Sequence, residues 1–167
     1  MFGYGSLANR ESVALTLGRA VDRSGFVQAE LRGWRRAWNV GSDKESHPER
    51  TFRLADGTEY DGLTVVLGLE PGDRCAGVVF PVTLDDLARL DVRERNYDRV
   101  DVTDDVVWAS RPRGCTIYTY TPKKTALEKI AVALASRRRI NVRRGYVELA
   151  GEAPGIPYPV EEMTVEG

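Results

Sequence analysis

One histidine, two cysteines and two methionines among 167 residues leave this sequence little material for several common kinds of site. The histidine, His47, precedes Pro48 in a polar stretch and has no cysteine or carboxylate at ligand spacing, so neither a metal centre nor a histidine-dependent nucleophile is expected. Cys75 and Cys115 each lie in apolar, strand-like sequence, which favours buried thiols in a reducing compartment, although a disulfide between them stays open. Charge of one sign is also missing: 24 basic residues face 25 acidic ones, so no global field recruits nucleic acid or an anionic membrane. No apolar run approaches bilayer length and no signal-peptide profile is present, so the expected location is cytoplasmic. Repeats, low-complexity tracts and long linkers are absent as well. The expectation is one domain over residues 1–167, with a polar excursion at 41–61 and a proline-rich tail at 154–167. Its partner is expected to be a small molecule, with the protein a monomer or a homodimer.

Along the chain, Glu11 to Leu17 reads as a short helix with Asn9 as N-cap and Gly18 as its stop. Residues 20–31 and 33–39 read as two strands, the second carrying Trp34 and Trp38. The apolar runs 63–69 and 75–82 flank the turn residues Glu70-Pro71-Gly72-Asp73 and read as an antiparallel pair. Thr83 caps a helix whose apolar stripe is Leu84, Leu87 and Leu90. Val100, Val102, Val106 and Val107 predict a strand or two interrupted at Asp104-Asp105, and 115–120 predicts another, ended by Pro122. Residues 126–138 form a helix by pattern, with Leu127, Ile130, Ala133 and Leu134 as its apolar stripe. The arginine-rich segment 137–144 reads as a solvated face, with an anion-binding role as the weaker alternative.

The stretch Met1-Phe2-Gly3-Tyr4-Gly5-Ser6-Leu7 offers the first chemistry. A strand that turns through Gly3 and Gly5 into a helix aims several amide N–H groups at one point and leaves room for a ligand beside the backbone. Gly3-x-Gly5-x-x-Ala8 also satisfies the dinucleotide fingerprint formally. Only two residues precede the first glycine, however, and no alternation of strands and helices follows, so that reading is rejected.

The second chemistry lies at the end of the Thr83 helix. Four residues beyond Leu90 comes Glu94, so helical periodicity places a carboxylate on the inward face. Burial and the negative end of a helix dipole both disfavour its charged form, while Arg93 and Arg95 oppose them. A carboxylate so placed is suited to taking a proton from an ammonium and returning it to a leaving amine.

Phe2-Gly3-Tyr4-Gly5-Ser6-Leu7 resembles the YGSL loop of the γ-glutamylcyclotransferase-like superfamily, and Leu90-Asp91-Val92-Arg93-Glu94, followed by Tyr97, resembles its LDxRE segment. Residues 31–38 and 77–82 are similar to the strands that lie between and before these motifs, in the same order, over Phe2 to about Tyr120. The resemblance implies an α+β fold, a small mixed, partly closed β-barrel with flanking helices. It implies cyclisation of a γ-glutamyl group to 5-oxoproline with release of a free amine, with no cofactor and no metal. Glu94 matches the acid/base, and Tyr4, Gly5, Ser6 and Leu7 match the loop that holds the glutamyl end. Tyr97 follows the glutamate where the family commonly has a tyrosine, and Tyr146 matches one near a terminal helix that reaches the site. Arg35 or Arg36 pairs with a substrate carboxylate, since only one of two neighbours on a strand faces inward; Arg36 is carried as the candidate. The 41–61 excursion and the arginine-rich region depart from the family pattern and leave the leaving group, hence the substrate, open. A binding module of the same fold that recognises γ-glutamyl or similar acidic groups without turnover is the competing expectation.

Overall fold

The computed structural model describes residues 1–43, 45, 46, 48, 62–109 and 111–136, together with the backbone of 140–142. Expectations placed on His47, on most of the 41–61 excursion, on Tyr146, on the arginine side chains of 137–144 and on the 154–167 tail lie outside those residues.

Strand β1 (Phe2–Gly3) opens the chain, and α1 (Arg10–Leu17) follows one turn of 3-10 helix at Gly5–Ala8. The Asn9 side chain accepts the Ser12 amide at 2.8 Å, and Gly18 closes the helix with a left-handed φ of 65°, the start and the stop read from the sequence. Two long strands then dominate: β2 (Val27–Ser42) and β3 (Leu63–Val79) pair antiparallel from Val27 opposite Val79 to Ser42 opposite Thr64. Helix α2 (Leu84–Arg93), strands β4 (Tyr97–Asp101), β5 (Val106–Val107) and β6 (Tyr118–Pro122), helix α3 (Lys124–Ala135) and strand β7 (Ile140–Val142) complete the order. The main sheet runs β1-β3-β2-β5, with β7 added parallel to β3, so it is mixed; β4 and β6 form a separate antiparallel ribbon.

The expected hairpin at 70–73 and the expected break between 31 and 33 are both corrected. Each is one continuous strand, because the turn-forming residues are absorbed into a bulge. Register shifts between Arg32, opposite Arg74, and Trp34, opposite Pro71, so Gly33 alone faces Gly72 and Asp73. Gly33 has a φ of 78°, and Arg35 lies across Gly72, where a Cβ would come within 2.5 Å of its Cγ. Pro71 is tolerated there because a bulge releases it from donating to the ladder. A second shift between Trp38 and Val40 adds to the bend. The strand expected to begin at residue 20 begins at Val27; Asp22 instead caps a 3-10 turn at Arg23–Gly25 by accepting the Ser24 amide.

Bending two long strands curls the sheet into a half-barrel, and the β4–β6 ribbon closes over it through side-chain bonds. Thr119 Oγ1 donates to Phe2 O at 3.1 Å, Tyr4 OH to Tyr120 O at 2.8 Å and Tyr97 OH to Leu67 O at 2.6 Å. Inside this closure Phe2, Leu31, Leu69, Val102 and Ile117 pack together. Outside it α1 and α2 bury Val13, Leu17, Leu87 and Leu90 against Phe80 and Tyr120. The fold is therefore the α+β half-barrel expected from the motifs.

Helix α2 starts with a capping box in which Thr83 Oγ1 accepts the Asp86 amide and Asp86 Oδ2 accepts the Thr83 amide. Leu84, expected on the inward stripe, is 84 % exposed; the buried contact of this first turn is Asp86 with Arg19 instead. The stripe of α3 is corrected likewise. Leu127 and Leu134 face outward while Ala126 and Ala133 are buried, since α3 lies so close to β2 that a Cβ on Gly41 would meet Lys129 Cβ at 2.8 Å. Both cysteines are free, and burial pushes the Cys75 thiol up to about 11.

Where β2 ends, Asp43 is buried and receives Lys129 Nζ at 3.0 Å, Ser46 Oγ at 2.8 Å and the Ser46 amide at 3.0 Å. Burial pushes its carboxyl up, but these bonds together outweigh burial and hold it below the ordinary aspartate range. A depressed native value means stability that is present above the unfolded-state value of about 3.9 and lost as pH falls through the native one. Urea midpoints are expected to decline more steeply in wild type than in Asp43→Asn as pH falls below about 4. Superimposable acid profiles would remove this cluster from the acid lability.

Candidate active site

The opening motif and the LDxRE segment meet. Gly5 takes a left-handed φ of 55°, as a strand entering a tight turn requires, and its α-carbon faces Leu67 of β3. Leu7 N donates to Tyr4 O at 3.0 Å, and the Leu7 side chain enters the core beneath α1. The Tyr4 side chain is core as well, its hydroxyl spent on Tyr120 O. Of the four loop candidates, Tyr4 and Leu7 thus hold the turn in place, while Gly5 and Ser6 sit at its crest.

Glu94 caps the C-terminal end of α2, its amide donating to Leu90 O at 2.8 Å. Its side chain is 13 % exposed, so the inward placement counted from Leu90 holds. The turn is fixed by the Tyr97 amide donating to Glu94 O at 2.8 Å, and Tyr97, half-buried, reaches across to Leu67 O with its hydroxyl. Leu67 is therefore a shared wall: Gly5 approaches its side chain and Tyr97 holds its carbonyl.

Joining the two motifs is Arg93, the arginine of the LDxRE segment, to which the sequence assigned no role beyond that of an opposing charge. Its Nε meets Glu94 Oε1 at 2.9 Å; its other terminal nitrogens reach Ser6 Oγ at 2.6 Å, Ser12 Oγ at 3.0 Å, Ser12 O at 3.0 Å and Thr16 Oγ1 at 2.6 Å. One guanidinium thus touches the crest of the opening turn, helix α1 and the Glu94 carboxylate. The signal in the sequence was Ser12 and Thr16, four apart on one face of α1 beside apolar Val13 and Leu17.

Beneath Glu94, Tyr120 OH donates to Asp91 Oδ1 at 2.7 Å, and Asp91 also receives Arg99 at 2.9 Å. Burial first, then the Asp91 bond and the Asp91 and Glu94 charges, push the Tyr120 phenol far above its ordinary value, so it stays protonated. Arg36 is the inward member of its pair: it stands opposite buried Leu69, while Arg35 is exposed and bonds Glu70 at 2.6 Å. Tyr146 lies outside the described residues. A cleft of about 360 Å³ between Asp43 and α3 shares no lining residue with the Ser6–Arg93–Glu94 group. Among the described residues no group of three or more histidines, cysteines or carboxylates is arranged to hold a metal ion, and no helix is long and apolar enough to cross a membrane.

The half-barrel with its flanking helices is the γ-glutamylcyclotransferase-like fold. The chain belongs to the γ-glutamyl cyclotransferase, AIG2-like family, whose sequence model matches residues 1–136. Among solved structures it is similar to an uncharacterized protein from Homo sapiens, at 20% identity and a TM-score of 0.43, over 99% of this chain and 91% of that one. A protein described as gamma-glutamyl cyclotransferase matches at 18% identity and a TM-score of 0.43, over the same shares of the two chains. None of the curated proteins matches the sequence.

Proposed function

We propose that this protein is a γ-glutamylcyclotransferase that acts on a small γ-glutamyl amide or peptide, forming 5-oxoproline and releasing the free amine. The observation that carries this reading is the largely buried Glu94 carboxylate joined through one guanidinium to Ser6 on the opening turn. In the reaction Glu94 takes a proton from the substrate α-ammonium, and the freed nitrogen attacks the γ-carbonyl carbon of the same molecule. A C–N bond forms and the bond to the leaving nitrogen breaks; of the two protons the attacking nitrogen gives up on becoming the lactam N–H, Glu94 carries one to the leaving nitrogen and the second follows, so the amine departs as its ammonium. Closure is intramolecular, so a folded glutamyl chain gains most of its advantage from orientation. Gly5 and Ser6, on the turn that the Leu7 amide closes onto Tyr4 O, are the proposed contacts for the glutamyl end. Arg36 is the cation for the substrate carboxylate, and Tyr97 a wall of the site. The scheme uses no cofactor.

The test is mass-spectrometric detection of 5-oxoproline from a panel of γ-glutamyl peptides, amines and amino acids. Turnover of at least one member that disappears in Glu94→Gln supports the reading. Measurable binding without turnover of any member would replace it with the non-catalytic module.

A further inference from the structure

We propose that Arg93 is the positioning residue of this site, fixing the Glu94 carboxylate relative to the opening turn. The proposal rests on the cyclotransferase reading for its kinetic consequences and on geometry alone for its premise. A guanidinium has five N–H donors in a rigid planar fork. Arg93 has five oxygen partners: Glu94 Oε1 at Nε, Ser12 O and Thr16 Oγ1 at one terminal nitrogen, Ser6 Oγ and Ser12 Oγ at the other. The side chain is 13 % exposed, so these bonds act away from bulk solvent and its screening. A planar fork whose two terminal nitrogens each carry two hydrogen bonds, and whose Nε contacts the carboxylate, has one orientation. That orientation sets where Oε1 stands relative to Ser6.

The order of residues makes this economical. Arg93 ends α2 and Glu94 is the next residue, so the backbone fixes the root of both side chains, and the Arg93–Glu94 contact fixes the tip of the second. Helix α1 supplies three of the five acceptors from Ser12 and Thr16, one helical turn apart, and so acts as the rigid wall against which the fork is set. A lysine has three donors on a flexible stem and cannot bridge wall, turn and carboxylate together. Among the described residues, the titratable groups near Glu94 include Tyr120 of β6, which holds Asp91 through its hydroxyl, Asp91 itself, paired with Arg99, and Arg95 on the following turn, which reaches Ser46 O. Helix α1 adds only hydroxyl and carbonyl oxygens here.

Two readouts test the proposal in the full-length protein. The first needs no turnover: a carbon-detected NMR titration of the Glu94 carboxylate, assigned by its loss in Glu94→Gln, in wild type, Arg93→Lys and Arg93→Met. The titration midpoint is expected to move to higher pH in Arg93→Met, because the contacting cation is gone, and less in Arg93→Lys. A midpoint unchanged in Arg93→Met overturns the proposal, whatever the protein does to γ-glutamyl compounds. The second is kinetic. Arg93→Lys is expected to lose about 100-fold in kcat with little change in KM, as a misplacement of about 1 Å does to a reacting group. Thr16→Val removes one acceptor on α1, far from substrate, and keeps the test open if the arginine variants fail to fold. It is expected to lose about 3- to 10-fold in kcat at unchanged KM; wild-type kcat in this variant and in Arg93→Lys overturns the proposal. A shifted midpoint in a wild type that turns over no γ-glutamyl compound leaves the positioning role standing and removes the cyclotransferase reading instead.

Discussion

Glu94→Gln folds with near wild-type stability and loses about 10³-fold in kcat for 5-oxoproline release, within the usual contribution of a positioned acid/base. The amide keeps the length and shape of the carboxylate, and the four hydrogen bonds from the Arg93 terminal nitrogens to Ser6, Ser12 and Thr16 do not involve residue 94, so the fork stays set against α1. What is lost is the ability to hold a proton between its removal from the α-ammonium and its delivery to the departing nitrogen. Substrate affinity is expected to change little, because the glutamyl end is assigned to the opening turn and to Arg36. Circular dichroism and urea unfolding check the first half, and single-turnover kinetics the second. Turnover within a few-fold of wild type would take the proton shuttle away from residue 94, and a misfolded variant would assign Glu94 to the structure rather than the chemistry. Glu94→Asp offers a graded companion: the shorter side chain keeps the charge but draws the carboxylate away from Arg93 and the substrate nitrogen, so an intermediate kcat is expected.

The parts of this site that were legible in the sequence are those fixed by local periodicity. Counting four residues from Leu90 placed Glu94 inward because the last turn of α2 packs on α1, where period and burial agree. The same count failed at Leu84, since periodicity gives the direction of a side chain and says nothing of whether a neighbour reaches that turn. The caps at Asn9, Gly18 and Thr83 were readable for the same local reason. Residues 70–73 were misread because Pro71 and Gly72 are turn formers by chemistry, and only pairing with a distant Gly33 converts the turn into a bulge. The partners of Arg93 were hidden most completely, although the residue itself stands in the LDxRE segment. Its acceptors Ser6 and Thr16 lie 87 and 77 residues away, and a long polar side chain near a helix end looks like any solvated arginine until its partners are known.

Gly3→Ala is expected to harm the protein more than Gly5→Ala, although the positive φ belongs to Gly5. At Gly5 an added Cβ meets only Leu67, at 3.8 Å, so alanine there suffers the left-handed backbone alone, about 1–2 kcal/mol. At Gly3 the backbone is an ordinary strand, paired with Val78, but a Cβ would lie 2.9 Å from the Leu7 carbonyl carbon and nearer still to its oxygen. Backbone cannot step aside as a flexible side chain does. Accommodating the methyl moves either β1 away from β3 or the Leu7 end of the turn away from β1. The second motion carries Ser6 with it, and Ser6 is bound to Arg93, which is bound to Glu94. A loss of about 1–3 kcal/mol in stability is expected from the overpacking. A fall of at least 10-fold in kcat/KM should accompany it, measured on the folded fraction, as the turn and the carboxylate lose register. Wild-type stability and kcat/KM in Gly3→Ala, with Gly5→Ala the more damaged of the two, would mean that the turn is selected for backbone conformation alone. Its close approach to the first strand would then have no part in holding the site together.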